Sequence, residues 1–534
     1  MRPLTEHRRR VASLLAIGAA LILGAAVFAS SAVGRGSAGG TLRLAVAPNL
    51  SMDPPNAPSL TDLTVLHTVY ETLAGYDFEK AEPVPRLAQR WTVSDDGLVY
   101  TFFLNPKARF ASGNPVTAAD VQYSLNRVFN FKTAAQGFQI TPYLTGDNVQ
   151  TVNARTVRIT LNSPAPAFLT ALSGHAASIL DSKVVKSHES GDDLARPWLA
   201  VNTAGSGPFV VSRWVKDSDL TMTRNRKYWG PRPSLDAVSL RYIQSASQAV
   251  SLLRGGDLDV VSNVLPSEAK KLRSAGFKVI TGQRLQNFYI TLPLIPGSPY
   301  ANPKVRKAVK YAIDYNGLVN TLFDGNAVRI GGVIGKGMLG YDETLNTRYK
   351  QDLPTARALL AEAGYQEGFS VDMYYQSDGG GPSGSVLGVP EDSTAAKIQA
   401  DLARVGIKIT LRGEPSATVF PKYRARQLPM VYWNFGPSYP DPDAIMTPHG
   451  DWNAQATTRT YWNSRRVTDL ITRARSESDR AKRKALYVRA QRIVAAEGPY
   501  AFLFRPKEIT VARKGVKFPW IPIWMVELDK VQLP

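Results

Sequence analysis

The stretch PRLAQRWTVSDDGLVYTFFLNPKARFASGNPVTAADVQYSLNRV, residues 85–128, decides how the rest of the chain is read. From Leu98, LVYTFFLNPKARFASG reads as paired strands, with turns at Asn105-Pro106 and Ser112-Gly113. A helix start follows in PVTAADVQYSLNRVF, bracketed by Thr117 and Asp120. The threonine hydroxyl can accept from an orphan N–H of the first turn, and the dipole favours the carboxylate there. That pair is helix capping and carries no chemistry. Working outward, the spacer GRGSAGG leads to the alternating strand TLRLAVA from Thr41, the loop PNLSMDPPNAPSLTD and a helix-like run from Leu63 to Leu73. Strand, loop and helix in that order suggest an α/β protein.

Downstream come the glycine turn GSGPF, strands around Val210 and Leu220, and a helix at Ala246–Arg254 that Gly255 and Gly256 end before the strand GDLDVV. Amphipathic helices begin at Pro303, Pro354 and Thr394, and strands such as FSVDMYY and IKITLR follow. Helices around Val467–Ser478 and Arg480–Glu497 precede AFLFRPKEITVA, a strand long enough to return to an earlier domain.

At 534 residues the chain exceeds the roughly 250–300 at which single cores divide, so two or three domains are expected. Its 44% apolar and 20% charged residues are ordinary globular values. Arg8, Arg9 and Arg10 precede an uncharged run, Val11 to Gly34, and residues 1–36 read as an export signal. Ala29, Ser31 and Ala32 offer cleavage sites, yet the run is long enough to stay uncut as a membrane anchor. Basic residues before it place the bulk of the chain outside the cytoplasm. With no cysteine, disulfides, thiolate metal sites and lipid-modified cysteine anchors are excluded. Beyond residue 36 stand 59 basic and 43 acidic residues, a net charge of +16. These cations are scattered without an aromatic-interleaved patch, which argues against nucleic acid and fits a protein beside an anionic envelope.

Four segments in order, 85–128, GSGPFVVSRWVKDSDLTMTRNRKYWG (205–230), NPKVRKAVKYAID (302–314) and PTARALLAEAGY (354–365), resemble the family 5 extracytoplasmic solute-binding proteins. These serve ABC importers of dipeptides, oligopeptides and nickel complexes, and the resemblance covers roughly residues 41–510. It implies an α/β, two-lobed periplasmic-binding-protein fold of type II, with two crossing strands and an additional domain inserted in the first lobe. Carried onto this chain, lobe I is 41–75, 205–285 and 505–534, the inserted domain 76–204, and lobe III 286–504. The crossings fall near GQRLQNFYIT and PYAFLFRPK. The expected function is capture of peptides or peptide-like solutes by lobe closure, with delivery to the transmembrane subunits of an ABC permease. The receptor is expected to be a monomer with no chemistry, cofactor or resident metal of its own.

The segment WNFGPSYPDPD, 433–443, is implied by the resemblance to form a cleft wall. Trp433 and Phe435 would stack on or pack against ligand, Asn434 and Gly436 would supply amide and backbone groups, and Tyr439 lies beside them. Peptide-binding members carry an aspartate for the ligand ammonium where this chain has Ser438. Losing that counter-charge costs roughly 2–5 kcal/mol, so free-N-terminus peptides are disfavoured. Asp441 is a candidate replacement, although Asp441-Pro442-Asp443 also reads as a helix entry: N-cap, proline at the first position, and a carboxylate at the positive end. Asn56, Ser59 and Leu60 match the loop that the resemblance runs along the ligand backbone; a proline-rich surface connection is the alternative reading. Tyr374, Tyr375 and Gln376 at a strand end, and Trp452, Tyr461 and Trp462 on an aromatic loop, are weaker candidates.

Gly335, Gly337 and Gly340 fit a dinucleotide spacing without the compact βαβ unit it requires. The five histidines, His7, His67, His175, His188 and His449, are dispersed, and no G-x-S-x-G elbow occurs. Oligosaccharide, opine-like and chelated-metal ligands are alternatives on the same fold. A secreted hydrolase and a surface-anchored peptide sensor or chaperone are the contrasting classes.

Overall fold

The computed structural model describes residues 39–534 apart from 47–50, 57–59, 81, 131–142, 144–145, 244, 379–388, 438, 455–458, 518 and 520–526. The expected signal or anchor, Ser59, Ser438 and most of the glycine loop after Gln376 lie outside the described residues, as does the side chain of Leu60.

Strands Ala88–Val93 and Val99–Leu104 pair antiparallel, and Thr156–Thr160 and Val149–Asn153 extend them to a four-stranded sheet. Tyr100, Phe102 and Leu104 alternate inward, as a half-buried strand requires, and pack under helix Ala118–Asn130. At that helix's start Thr117 N–H donates to Asp120 at 2.8 Å and Asp120 N–H to Thr117 Oγ1 at 3.4 Å, a reciprocal cap.

Twelve described strands form the main sheet. In one half, Thr41–Val46 lies parallel to Ala237–Tyr242, which continues antiparallel to Asp219–Arg224 and then Phe209–Val215. In the other, Ile407–Glu414 and Phe369–Gln376 are parallel and lead through Val431–Phe435 to Asn287–Thr291. One 13-residue strand, Tyr500–Ala512, joins the halves. Its first residues pair with Asn287–Thr291 and Ala327–Arg329, its last with Lys278–Gln283 and Val260–Val261. The chain thus passes between halves twice, at 283–287 and near Phe504–Lys507, where the two crossings were expected.

The second half is covered on both faces, so successive residues of one strand enter different cores. Tyr432 packs with Ile290, Met373 and Ile398, while Trp433 packs with Tyr289, Phe502 and Ile471. Helix Ala246–Gly255 is capped by Ser245 and ended by Gly256 at φ 83°, a left-handed conformation that glycine adopts at little cost. Helices Arg465–Ser476 and Arg480–Glu497 fall close to their expected limits. The first helix differs, running Leu60–Val69 rather than to Leu73. Glu71 ends it by turning into the interior, where its carboxylate accepts from Ser206, Tyr228 and Trp229.

Candidate functional site

At the crossing between the sheet halves, Arg284 Nε meets Glu508 Oε2 at 2.6 Å and Arg284 Nη2 donates to Asn263 Oδ1 at 3.3 Å. Arg505, on the same strand as Glu508, donates to the Gly332 and Val333 carbonyls, and burial pushes its guanidinium down to about 10. Both arginines are almost fully buried. The floor linking the halves is therefore polar and buried, and Gln286 on it donates to Asn434 Oδ1 at 2.5 Å.

That bond ties the floor to segment 433–443. Trp433 is 4% exposed and stacks on Phe420 with centroids 5.7 Å apart, and Tyr423 tilts against it at 5.3 Å. Phe435, half-buried, meets the edge of His449 at 5.7 Å, and Gly436 lies against Gln286. Tyr374 packs on the Trp433 side of the sheet; Tyr375 points into the opposite core, as neighbours on one strand must.

The two aspartates are anchored. Asp441 caps helix Pro442–Gly450 by accepting from Asp443 N–H at 2.9 Å, so the expected helix entry forms. Its carboxylate is also gripped by both terminal nitrogens of Arg483, at 2.7 and 2.9 Å, with both side chains buried. Asp443 accepts from Arg475, Thr447, Tyr487 and Tyr143. Tyr143 belongs to the region packed around the four-stranded sheet, and its hydroxyl lies 2.7 Å from that of Tyr439. Burial, with the Asp443 charge beside them, holds both phenols well above their usual range, so both are protonated. Since Tyr143 donates to Asp443, Tyr439 must donate to Tyr143.

Pro54–Asn56 forms a short turn with Asn56 exposed, and Leu60 opens the following helix. Asp53 is clasped by Arg127 of helix Ala118–Asn130 at 2.7 and 2.8 Å, and Arg127 Nε donates to the Leu194 carbonyl. Leu63 and Phe78 pack against the core that holds Trp433. The structure thus brings Trp433, Phe435 and Tyr374 into one core with Leu63 and Phe78, with Asn434, Gly436, Tyr439 and Asp441 on the same segment as Trp433. On the aromatic loop, Trp452 and Tyr461 flank the Arg426 guanidinium at 5.4 and 5.3 Å, while Trp462 is buried in the same core as Trp433.

Sequence reasoning missed Tyr143, Arg127, Arg475, Arg483 and Gln286. Each meets its partner across at least 32 residues, so local spacing gives no sign of the pairing. Among the described residues no group of three His, Asp or Glu side chains could hold a metal ion.

Known proteins share this architecture. The chain is 29% identical over 477 residues, 88% of each chain, to the probable D,D-dipeptide-binding periplasmic protein DdpA of Escherichia coli K12. It is 26% identical, over 88% of this chain and 90% of the relative, to di/tripeptide-binding protein 2 of Pseudomonas aeruginosa. The periplasmic binding protein DppA of Helicobacter pylori, solved with the peptide STSA, superposes with a TM-score of 0.80 at 26% identity, covering 93% of this chain and 98% of the other. The fold is the type II periplasmic-binding-protein fold. The profile of the bacterial extracellular solute-binding proteins, family 5 Middle, matches residues 82–456, and the chain belongs to that family.

Proposed function

We propose that this chain is the extracytoplasmic receptor of an ABC importer and captures peptides or peptide-like solutes whose amino end is blocked, modified or absent. The relatives named for dipeptides and the H. pylori complex with a peptide support the substrate class. The observation that carries the refinement is the commitment of both aspartates in 433–443. Asp441 is neutralised by Arg483, and Asp443 by Arg475 with two phenols, so neither is left to meet a ligand ammonium where Ser438 replaces the aspartate of peptide binders.

In this reading Trp433, Asn434, Phe435 and Gly436 form the wall, with Ser438 and Tyr439 at its end and Tyr374 on the adjoining strand; Tyr375, turned into the opposite core, supports that strand from behind and is no longer a ligand group. Asn56, Ser59 and Leu60 lie along the ligand from the other side. Asp441 serves by fixing the loop. Lobe I is 41–75, 205–285 and 505–534, the inserted domain 76–204 and lobe III 286–504; division of the sheet at its two crossings supports these limits. Residues 1–36 export the chain or tether it, and the monomeric receptor hands its solute to permease transmembrane subunits.

Native mass spectrometry of the purified protein, followed by denaturation, identifies what it carries. A co-purified peptide-like compound lacking a free α-ammonium is expected. Tight binding of ordinary free peptides overturns the refinement, and conversion of the bound molecule overturns the receptor reading.

A further inference from the structure

Helix Arg480–Glu497 carries six basic residues and no acidic one before Glu497. Arg483 turns inward to Asp441 and Arg492 pairs with Asp342 at 2.7 Å. Arg480, Lys482, Lys484 and Arg489 are exposed, and among the described residues none is within salt-bridge distance of a carboxylate. At 100° per residue these four spread over the whole outward arc of the helix. Asp479, the nearest acid, is occupied as the N-cap, accepting from the Ala481 and Lys482 N–H groups. The preceding helix, Arg465–Ser476, joins Arg480–Glu497 through a three-residue turn and so packs antiparallel to it. It adds exposed Arg465 and Arg473 against a single acid, Asp469.

We infer that this two-helix face docks on an anionic lipid surface. The choice of a membrane over a protein follows from what separates the cations. Protein interfaces centre on aromatic anchors and are depleted in lysine, whereas this helix exposes only Ala481 and Ala485 between its charges. Such a face has no shape to match and much charge to neutralise. Each basic residue near an anionic leaflet strengthens binding about fivefold, and salt weakens it because the attraction acts within a Debye length of ~10 Å at 0.1 M. The face would hold the receptor in one orientation at the membrane where its permease lies, whether or not residues 1–36 remain attached. This goes beyond solute capture.

The absence of cysteine allows the full chain to be labelled at one introduced thiol. Ala485→Cys on the helix, and Ala275→Cys beyond helix Pro266–Ser274 as a control, would each carry an environment-sensitive fluorophore. Vesicles of phosphatidylcholine with and without phosphatidylglycerol are then added at low and high salt. The label at 485 should respond only to the anionic vesicles and only at low salt, with the label at 275 silent. Lys482→Glu/Lys484→Glu/Arg489→Glu should reduce the partitioning ~100-fold. Acidic side chains are favoured in the first helical turn, so Lys482→Glu does not put the fold at risk, and retained solute binding reports on the other two positions. An equal response to neutral vesicles, or no loss in the triple variant, overturns the inference. So does a response to detergent-solubilised permease with none to lipid, which would make the face a protein contact.

Discussion

Replacing Asp441 by asparagine separates two roles that this residue has been assigned. Asparagine keeps an oxygen to accept from Asp443 N–H, so the helix cap survives and only the charge is lost. Arg483, 5% exposed and bonded to both carboxylate oxygens, would then be a buried guanidinium left, among the described residues, with the hydrogen bond from Nε to the Ala474 carbonyl at 3.1 Å. Charge centres about 4 Å apart interact by about 4 kcal/mol at an effective dielectric of 20, and removing one partner of a buried pair typically costs 3–5 kcal/mol. Arg483→Met should cost a similar amount. The double variant, with neither charge, should recover most of the loss because a neutral, packed replacement avoids the desolvation cost. The assay is urea unfolding of all four proteins at constant slope, with solute affinity measured alongside. A coupling energy of about 3 kcal/mol and little change in affinity for the double variant are expected. If Asp441→Asn is nearly neutral for stability yet abolishes binding, the carboxylate is a ligand group and the reasoning from its commitment to Arg483 fails.

Introducing Ser438→Asp should restore a counter-charge and raise affinity for free dipeptides at least ~30-fold, while N-acetylated dipeptides gain nothing; isothermal titration with both distinguishes the two. Tyr143→Phe removes the donor to Asp443 that links the two sides of the site, and a bond to a charged acceptor is worth ~1.5–3 kcal/mol, so stopped-flow release of bound solute should accelerate ~10-fold or more. Arg127→Met should destabilise by about 3–5 kcal/mol and weaken solute binding, with Asp53→Asn in the same chain recovering stability. Burial holds His449 down to about 4 and His175 to about 3, so the unfolded chain takes up protons that the folded one refuses as pH falls below about 6.5. Stability should therefore drop by several kcal/mol between pH 6.5 and 4, and His175→Leu should flatten part of that slope in urea midpoints measured across pH.

Local chemistry made much of the fold legible. Thr117 and Asp120, Ser245 with Gly256, and Asp441-Pro442-Asp443 each announce a helix end within a few residues, because capping groups bond to neighbouring backbone. The two crossings were legible through resemblance alone, since nothing in YAFLFRPKEITVA tells which strands flank it. Segment 433–443 was singled out through resemblance, and the helix entry at Asp441 through residue type; the network around them was opaque. That Asp441 faces Arg483, or that Tyr143 reaches Asp443 across 300 residues, depends on tertiary packing with no sequence period. The end of the first helix was misjudged for the same reason, Glu71 being drawn inward by Ser206, Tyr228 and Trp229 from far along the chain.

Strand Tyr500–Ala512 has a consequence in time as well as in space. Strands 260–261, 278–283, 287–291 and 327–329 all pair with it, yet it is made after all of them. While the ribosome is still working, both halves of the main sheet lack the member that joins them, and the pairings left to form are the slow, long-range kind. A chain that cannot lock its fold until its last residues appear stays threadable through a membrane pore for most of its synthesis, which suits a protein whose working place is on the other side.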